Sequence, residues 1–354
     1  FQAEDGIRDR SPSRGLGDVY KRQNMDKLKK VGLTALGTAL VSSASVAGDM
    51  SVTGSAIITF SGADNTAKGN GWSMSDTMSF SGSGDLDNGW TVSYSHAIDN
   101  GTNDANSIKV DMGDAGAITF AGLGGSGPVE ATDDVMPTAN EESWATVAGT
   151  VSGLADGSEG NNNFTYVLPS LMDGLAAEVF YQPSDAAQGS STEWKLVYTG
   201  VDGLEVGYAG GDNEDSLTNT IENTNLWAKY TLDSFTFGYQ ANEEDEETAS
   251  ADTDFTAIGI SYAVNDELSV SYGISETEHE NTSLEDQDAS AVSFSYVSGG
   301  MTIGGSMHAV DNVGGAAATD NEGYELNITF ASVSYTHLRA HETDSYLVCR
   351  LLLE

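Results

Sequence analysis

The sequence predicts an all-β protein, a 16-stranded antiparallel transmembrane β-barrel, and three observations lead to this prediction. Apolar and polar residues alternate with period two in short segments from Met50 to Phe330. No helical periodicity competes over a comparable length, and the connections between the segments alternate between short and long. Successive side chains of a strand point to opposite faces, so each segment is predicted to be a strand with one apolar face. Tight turns on one side and longer loops on the other are typical of membrane-spanning barrels.

The connections give the number of strands. Seven short turns are predicted near residues 84–88, 114–116, 171–174, 200–203, 233–234, 263–266 and 297–300. Eight longer polar loops are predicted near residues 61–71, 99–106, 124–163, 184–190, 210–222, 241–253, 275–288 and 310–321, and the third is by far the longest. These connections join sixteen strands.

A repeat of aromatic residues supports the hairpin count. Three intervals of 32 residues and then two of 34 separate the members of the series Tyr166, Tyr198, Tyr230, Tyr262, Tyr296 and Phe330. Each tyrosine precedes a short turn by a few residues, which predicts an aromatic girdle at one membrane interface. The alternative is the ordinary enrichment of tyrosine in strands.

A soluble β-sandwich is the competing fold, because alternation alone does not tell an inner face from an outer one. Three features favour the barrel. There are sixteen strands without a domain break, the turn lengths alternate, and the last strand has the sequence GYELNITF.

The two ends of the chain differ in composition from its centre. All six arginines and the single cysteine, Cys349, lie outside the stretch between Arg22 and Arg339. Residues 1–24 and 332–354 resemble translated adapter sequence, and we expect both to be artefacts. From Met25, a basic start, a short apolar run and a small-residue site predict a signal peptide over residues 25–47, too short to span a bilayer as a helix. The mature barrel is therefore expected to be residues 48–331.

The mature region is strongly acidic. It holds four lysines and 46 of the 54 acidic residues, a formal charge near −42. This charge excludes a nucleic-acid binder of the electrostatic type. The composition alone is also compatible with disorder or an acidic secreted β-protein.

Several motifs resemble those of known barrels. The strand GYELNITF resembles the C-terminal assembly signal of outer-membrane barrels, although Phe330 is followed by Ala331, so we expect that a terminal Phe was lost. The stretches GSGDLDNGWTVSYS, GDAGAITFAG and YVLPSLMDGLAAEVFY resemble alphaproteobacterial general porins. The resemblance covers the whole mature region. It implies a homotrimer of 16-stranded barrels whose long third loop folds into the lumen and narrows the pore.

The residues that could indicate an enzyme lack the neighbouring sequence that an active site or a cofactor site requires. Gly122, Gly124 and Gly127 form a G-x-G-x-x-G, but PVEATDD follows instead of an amphipathic helix, so a dinucleotide site is not expected. The mature histidines lie far apart in the sequence, and no Ser-His-Asp arrangement with a nucleophile elbow appears. We expect no enzyme and no cofactor.

The third loop carries the candidate pore constriction. A ring of carboxylates there would raise the local cation concentration, and the candidates are Glu130, Asp133, Asp134, Glu141 and Glu142. The alternative is a solvated acidic surface loop. Acidic segments at residues 212–215 and 243–247 are candidates for Ca²⁺ binding, but neither has an EF-hand pattern and solvated loops are the simpler interpretation.

Strand parity predicts where the lysines point. With Ile108 and Val110 facing lipid, Lys109 must face the lumen, and the same argument sends Lys195 and Lys229 inward. Familiar porins oppose an acidic loop with a basic wall. Without a mature arginine, a strong transverse field is in doubt.

Parity also predicts a subunit contact. The outward row of the first strand has two small residues, Gly54 and Ala56, and that of the second strand includes Asp76. A carboxylate facing hydrocarbon is costly unless it meets a donor in another subunit. Both anomalies lie beside the seam that closes the barrel, so the trimer contact is predicted at the first strands and the last. The alternatives are a bulge that turns Asp76 inward, or a second strand that starts only after it.

The function expected from these features is passive diffusion of small hydrophilic solutes and ions, with a preference for cations, across a Gram-negative outer membrane. Its expected partners are two further copies of the chain, outer-membrane lipid and lipopolysaccharide. The rival is a non-conducting surface adhesin or structural barrel with acidic, Ca²⁺-binding loops. A plugged barrel needs a bulky lumen, whereas the inward face is rich in Ser, Thr, Asn and Gly.

Overall fold

The computed structural model describes residues 50–64, 70–151, 155, 157–216, 219–247, 252–331 and 335–336. The predicted signal peptide and the predicted N-terminal artefact lie outside these residues. So does most of the C-terminal one, except that Tyr335 and Thr336 pair with Val52 and Ser51.

Sixteen antiparallel strands form one closed sheet, as the sequence predicts. Each strand pairs with its neighbours in the chain, and the first pairs with the last from Ser55–Ala331 to Ala63–Gly323. The strands are β1 (Met50–Ala63), β2 (Trp72–Asp85), β3 (Thr91–Asp99), β4 (Thr102–Asp111), β5 (Ala117–Leu123), β6 (Asn163–Val167), β7 (Leu175–Gln182), β8 (Ser191–Val201), β9 (Leu204–Ser216), β10 (Asn219–Leu232), β11 (Phe235–Glu246), β12 (Thr253–Ala263), β13 (Leu268–His279), β14 (Gln287–Ser298), β15 (Met301–Asp311) and β16 (Asn321–Ala331).

The prediction of a long second loop is wrong. Residues 99–106 contain a turn of two residues, Asn100 and Gly101, between β3 and β4. Both have positive φ, 48° and 77°, as the type I′ hairpin turn requires. The polar stretch TNDAN resembles a loop in composition, but the sheet supplies its backbone with hydrogen-bond partners.

Four later loops are shorter than predicted, because β9 to β15 extend into them. The strand β9 runs to Ser216, and β10 begins at Asn219. Polar residues occupy both faces of these strand ends, so the apolar–polar alternation that marks the rest of each strand is lost there. The acidic segments at 212–215 and 243–247 consequently lie mostly in β9 and β11, and their prediction as loops is wrong.

The two faces of the sheet have opposite characters. The outer face exposes large apolar side chains, among them Ile258, Tyr272, Val292 and Met307. The inner face buries polar ones under the third loop, including Asn225, Gln240, Asn242, Thr277 and Gln287. A soluble sandwich has the reverse arrangement, whereas a barrel in lipid has this one. Among the described residues, no helix has the length and hydropathy needed to cross a membrane.

The tyrosines of the aromatic repeat lie near the short turns on the outer face. Tyr230 is opposite Leu204 and Phe237, and Tyr262 is opposite Phe235, with the last two rings 4.5 Å apart. Tyr230 and Tyr262 therefore each lie next to the base of the preceding short-turn hairpin, at corresponding positions along the sheet.

Candidate functional site

The described part of the connection between β5 and β6 runs along the inner face of the barrel, and we call that part the inner loop (residues 124–151, 155 and 157–162). Its two stems pair briefly, Gly125 with Gly160 and Ser126 with Glu159. Two apolar clusters hold it to the wall. The first is Val129 and Ala155 on Ala209 and Trp227, and the second is Val147 on Ala289, Val310 and Val313. The loop therefore narrows the interior, as the resemblance implies.

Uncharged polar side chains of the wall hold the first half of the loop. The Asn225 Nδ2 donates to the Val129 carbonyl at 2.8 Å, and the Asn242 Nδ2 donates to the Asp133 carbonyl at 3.0 Å. The Val135 N–H donates to Gln240 Oε1 at 3.0 Å, and the amide of Gln240 returns a bond to the Asp133 carbonyl. Leaving one such buried group without a partner costs about 1–3 kcal/mol.

The second half is held in the same way by β13 and β14. Serines accept from the loop backbone, Ser271 from Ala139 at 2.8 Å and Ser293 from Asn140 at 3.1 Å. Farther on, Gln287 accepts from Val151 N at 3.0 Å and donates to its carbonyl at 2.6 Å. The wall thus offers a row of amide and hydroxyl side chains beneath the loop, which we call the amide and hydroxyl track.

Glycines in the wall let the loop approach closely. A Cβ on Gly259 would lie 3.1 Å from Pro137 Cδ, and one on Gly238 would overlap the same atom. The side chain is absent at these positions because the proline ring occupies its space.

The five predicted loop carboxylates fall into two groups. Glu130, Asp133 and Asp134 follow one another closely; burial, then Asp134 and Glu130, raise the pKa of Asp133 to about 7. The other group is Glu141 and Glu142. Burial raises the pKa of Glu142, and the nearby charge of Asp134 raises it further, so the two groups interact electrostatically.

A further carboxylate, which the sequence analysis missed, joins the second group. Glu325 of β16 lies beside Glu141, and the Asn327 Nδ2 donates to Glu141 Oε1 at 3.3 Å and to Glu325 Oε1 at 2.5 Å. Burial, then Glu325 and Glu142, raise the pKa of Glu141 to about 7. Parity would have placed Glu325 inward, because Tyr324 and Leu326 occupy the apolar row.

The lysines predicted to face inward lie opposite the apolar row, and two of them have acidic neighbours. The Lys195 Nζ is 3.4 Å from Glu178 Oε2, its directly paired residue on β7. The Lys229 Nζ is 2.9 Å from Glu205 Oε1, its paired residue on β9. Lys109 is exposed and shares a face with its partners Ser93 and Thr119. Glu178 and Glu205 were missed because strand pairing is not visible in a single sequence.

The residues predicted for the subunit contact share one patch of the outer face. The strands β1 and β2 pair without a register shift from Met50–Gly82 to Phe60–Trp72, which places Ala56 opposite Asp76. Asp76 is exposed in the row of Met74 and Met78. Both alternatives, a bulge and a late strand start, are therefore wrong.

The remaining motifs form no second site. Gly122, Gly124 and Gly127 lead into the inner loop without a following α-helix. Within the part of the chain that the structure describes, no three His, Cys, Asp or Glu side chains come together in a way that could hold a metal ion.

The sequence matches the family described as Gram-negative porin over residues 32–284. None of the curated proteins matches it. Several solved structures share the fold, and they cover most of this chain.

A structure of OmpF from Salmonella typhi in complex with daunomycin has a TM-score of 0.63 at 13% identity, covering 81% of this chain and 98% of its own. The trimer form of OmpT from Vibrio cholerae has a TM-score of 0.62 at 14% identity, covering 81% of this chain and 100% of its own. The anion-selective porin from Comamonas acidovorans has a TM-score of 0.60 at 13% identity, covering 80% and 98%. At these identities the likeness shows the fold alone.

Proposed function

The chain belongs to the Gram-negative porin family, and from this premise we propose that its barrel is a water-filled pore for passive diffusion of small hydrophilic solutes, with a preference for cations. It is a protein of the bacterial outer membrane. The family and its fold are non-enzymatic in kind. The three motifs quoted above favour its alphaproteobacterial branch.

The observation that carries the cation preference is the balance of charge on the inner side. The inner loop presents two groups of carboxylates, and Glu325 adds a further one. Lys195 and Lys229 each have a glutamate within 4 Å, so their charges are largely compensated locally. A constriction that carries more acidic than basic groups concentrates cations and repels anions. Because one fold neighbour is anion-selective, selectivity is argued from this chain's own charges and not from the fold.

The test is the reversal potential of the folded protein in a planar bilayer under a KCl gradient. A potential of the cation sign, with water-filled conductance, supports the proposal. A barrel that inserts without conducting supports the adhesin instead, and a potential of the anion sign rejects the cation preference.

We further propose a homotrimer with its contact at the first strands, β1 and β2, and the last, β16, which pairs with β1. The small residues Gly54 and Ala56 permit close approach there, and Asp76 is more easily explained against a neighbouring subunit than against hydrocarbon. Trimeric assembly is described for the similar OmpT structure. Lipid and lipopolysaccharide would cover the remaining apolar outer face.

A further inference from the structure

A buried carboxylate in the barrel wall lies where the two stems of the inner loop separate. Glu193 of β8 is 1% exposed, although most ionised side chains remain in contact with water. One carboxylate oxygen, Oε2, accepts from the Val129 N–H at 2.8 Å. The other, Oε1, accepts from the Ser158 N–H. A single side chain therefore bonds the descending stem and the returning stem.

The stem pairing ends at this carboxylate. The Gly127 N–H still donates to the Ser158 carbonyl at 2.7 Å, but the reciprocal bond is missing, because the Ser158 N–H turns to Glu193. The Gly127 carbonyl accepts instead from Ala131 N at 3.0 Å, which starts the turn that carries Glu130. A Cβ on Gly127 would overlap the Glu193 carboxylate, so the glycine makes room for this contact.

We propose that Glu193 is a positioning residue of the pore: it ties both stems of the inner loop to the wall and thereby sets where the loop carboxylates lie. The inference rests on the proposed function for its consequence in conduction. The acidic groups begin next to the anchored residue, because Glu130 directly follows Val129. A loosened stem therefore displaces the charged edge of the constriction.

The chemistry requires a carboxylate and not merely a side chain of that size. Two N–H donors converge on the site, and only a carboxylate presents two oxygen acceptors. In Glu193→Gln the shape is kept, but one N–H donor faces an amide NH₂. The expected result is about 10- to 100-fold faster amide hydrogen exchange at Val129 or Ser158, because a buried charge-assisted bond is lost. Single-channel current should also become noisier in the open state.

The matched control is Glu178→Gln, on the same face of the neighbouring strand and bonded to Lys195. It should leave the exchange of both amides as in the wild type, because it removes a carboxylate that does not touch the loop stems. An engineered disulfide supplies a rescue. Ser126 and Glu159 form the non-hydrogen-bonded pair of the stems, whose Cα separation of about 4.5 Å suits a disulfide.

Three measurements decide the proposal. In the triple variant Glu193→Gln, Ser126→Cys, Glu159→Cys, oxidation to the disulfide should lower the open-state current noise to the wild-type level. Reduction of the disulfide should raise the noise again. Wild-type exchange and noise in Glu193→Gln and also in Glu193→Ala would overturn the anchoring role. Exchange is measured without any current, so a chain that conducts nothing rejects the proposed function while the role of Glu193 is still tested.

Discussion

Glu141 of the inner loop and Glu325 of the last strand share one amide donor, the Nδ2 of Asn327, so two carboxyl groups are held side by side between the loop and the barrel wall. Their proximity and burial raise the pKa of Glu141 to about 7, and burial with acidic neighbours does the same for Asp133.

Cation preference should therefore depend on pH near neutrality. Above pH 7 both loop carboxyls are ionised, and below it both take up protons and lose their charge. We expect the cation-to-anion permeability ratio to fall roughly twofold between pH 8 and pH 5. In Glu325→Gln the pKa of Glu141 should fall, which moves its part of the transition to lower pH. A ratio that is flat across this range would contradict the assigned pKa values.

Neutralising the loop carboxylates should weaken the preference at a fixed pH. The change is Gln for Glu130, Glu141 and Glu142 and Asn for Asp133 and Asp134, with the reversal potential as readout. The control neutralises Glu243 and Asp254, an exposed pair in the outward row of Tyr239 and Ile258, and should have little effect. Equal loss of selectivity in both variants would mean that the general surface charge, and not the constriction, selects ions.

Lysine orientation can be tested by chemical labelling. Cysteines at 109, 195 and 229 should react with a water-soluble thiol reagent in folded protein in membranes, and cysteines at Val110, Leu196 and Ala228 should be shielded. Only the introduced cysteines can be labelled in the predicted mature region, because that region has no cysteine of its own. Reaction of the second set alone would show that the lumen and lipid faces are exchanged in these strands.

The subunit contact predicts a change in the oligomer and not in the barrel. Leucine at Gly54 and Ala56 should lower the temperature at which the trimer dissociates by roughly 5–10 °C, since overpacking an interface is destabilising. Semi-native gel electrophoresis after graded heating measures this. The control is Ala228→Leu, in the outward row of a distant strand. If the heated trimers of all three proteins dissociate together, the contact lies elsewhere.

The number of strands, and the face of the sheet on which each side chain lies, could be predicted from the sequence because both depend on local alternation. The alternation around Trp194 and Leu196 puts Lys195 on the face opposite the apolar row, and that it faces water stays a prediction. The turn at Asn100 and Gly101 was missed because its flanking residues are polar on both faces. An Asn-Gly pair is a strong hairpin signal, and it should have outweighed composition.

Partners across the sheet could not be predicted from one sequence. Glu205 is far from Lys229 in the chain, and their contact depends on the register of β9 with β10. Glu193 shows the same limitation, since its bonds to Val129 and Ser158 join β8 to a loop that precedes it. Parity predicts the face of a residue, whereas these contacts require the position of every neighbouring strand.

The amide and hydroxyl track under the inner loop separates the shape of the passage from its charge. Gln240, Asn242, Ser271 and Gln287 do not titrate, and their short-range bonds are insensitive to ionic strength. Salt that changes which ions pass should therefore leave the bore almost unchanged. Mutation can likewise retune selectivity through the loop carboxylates without rebuilding the attachment beneath them.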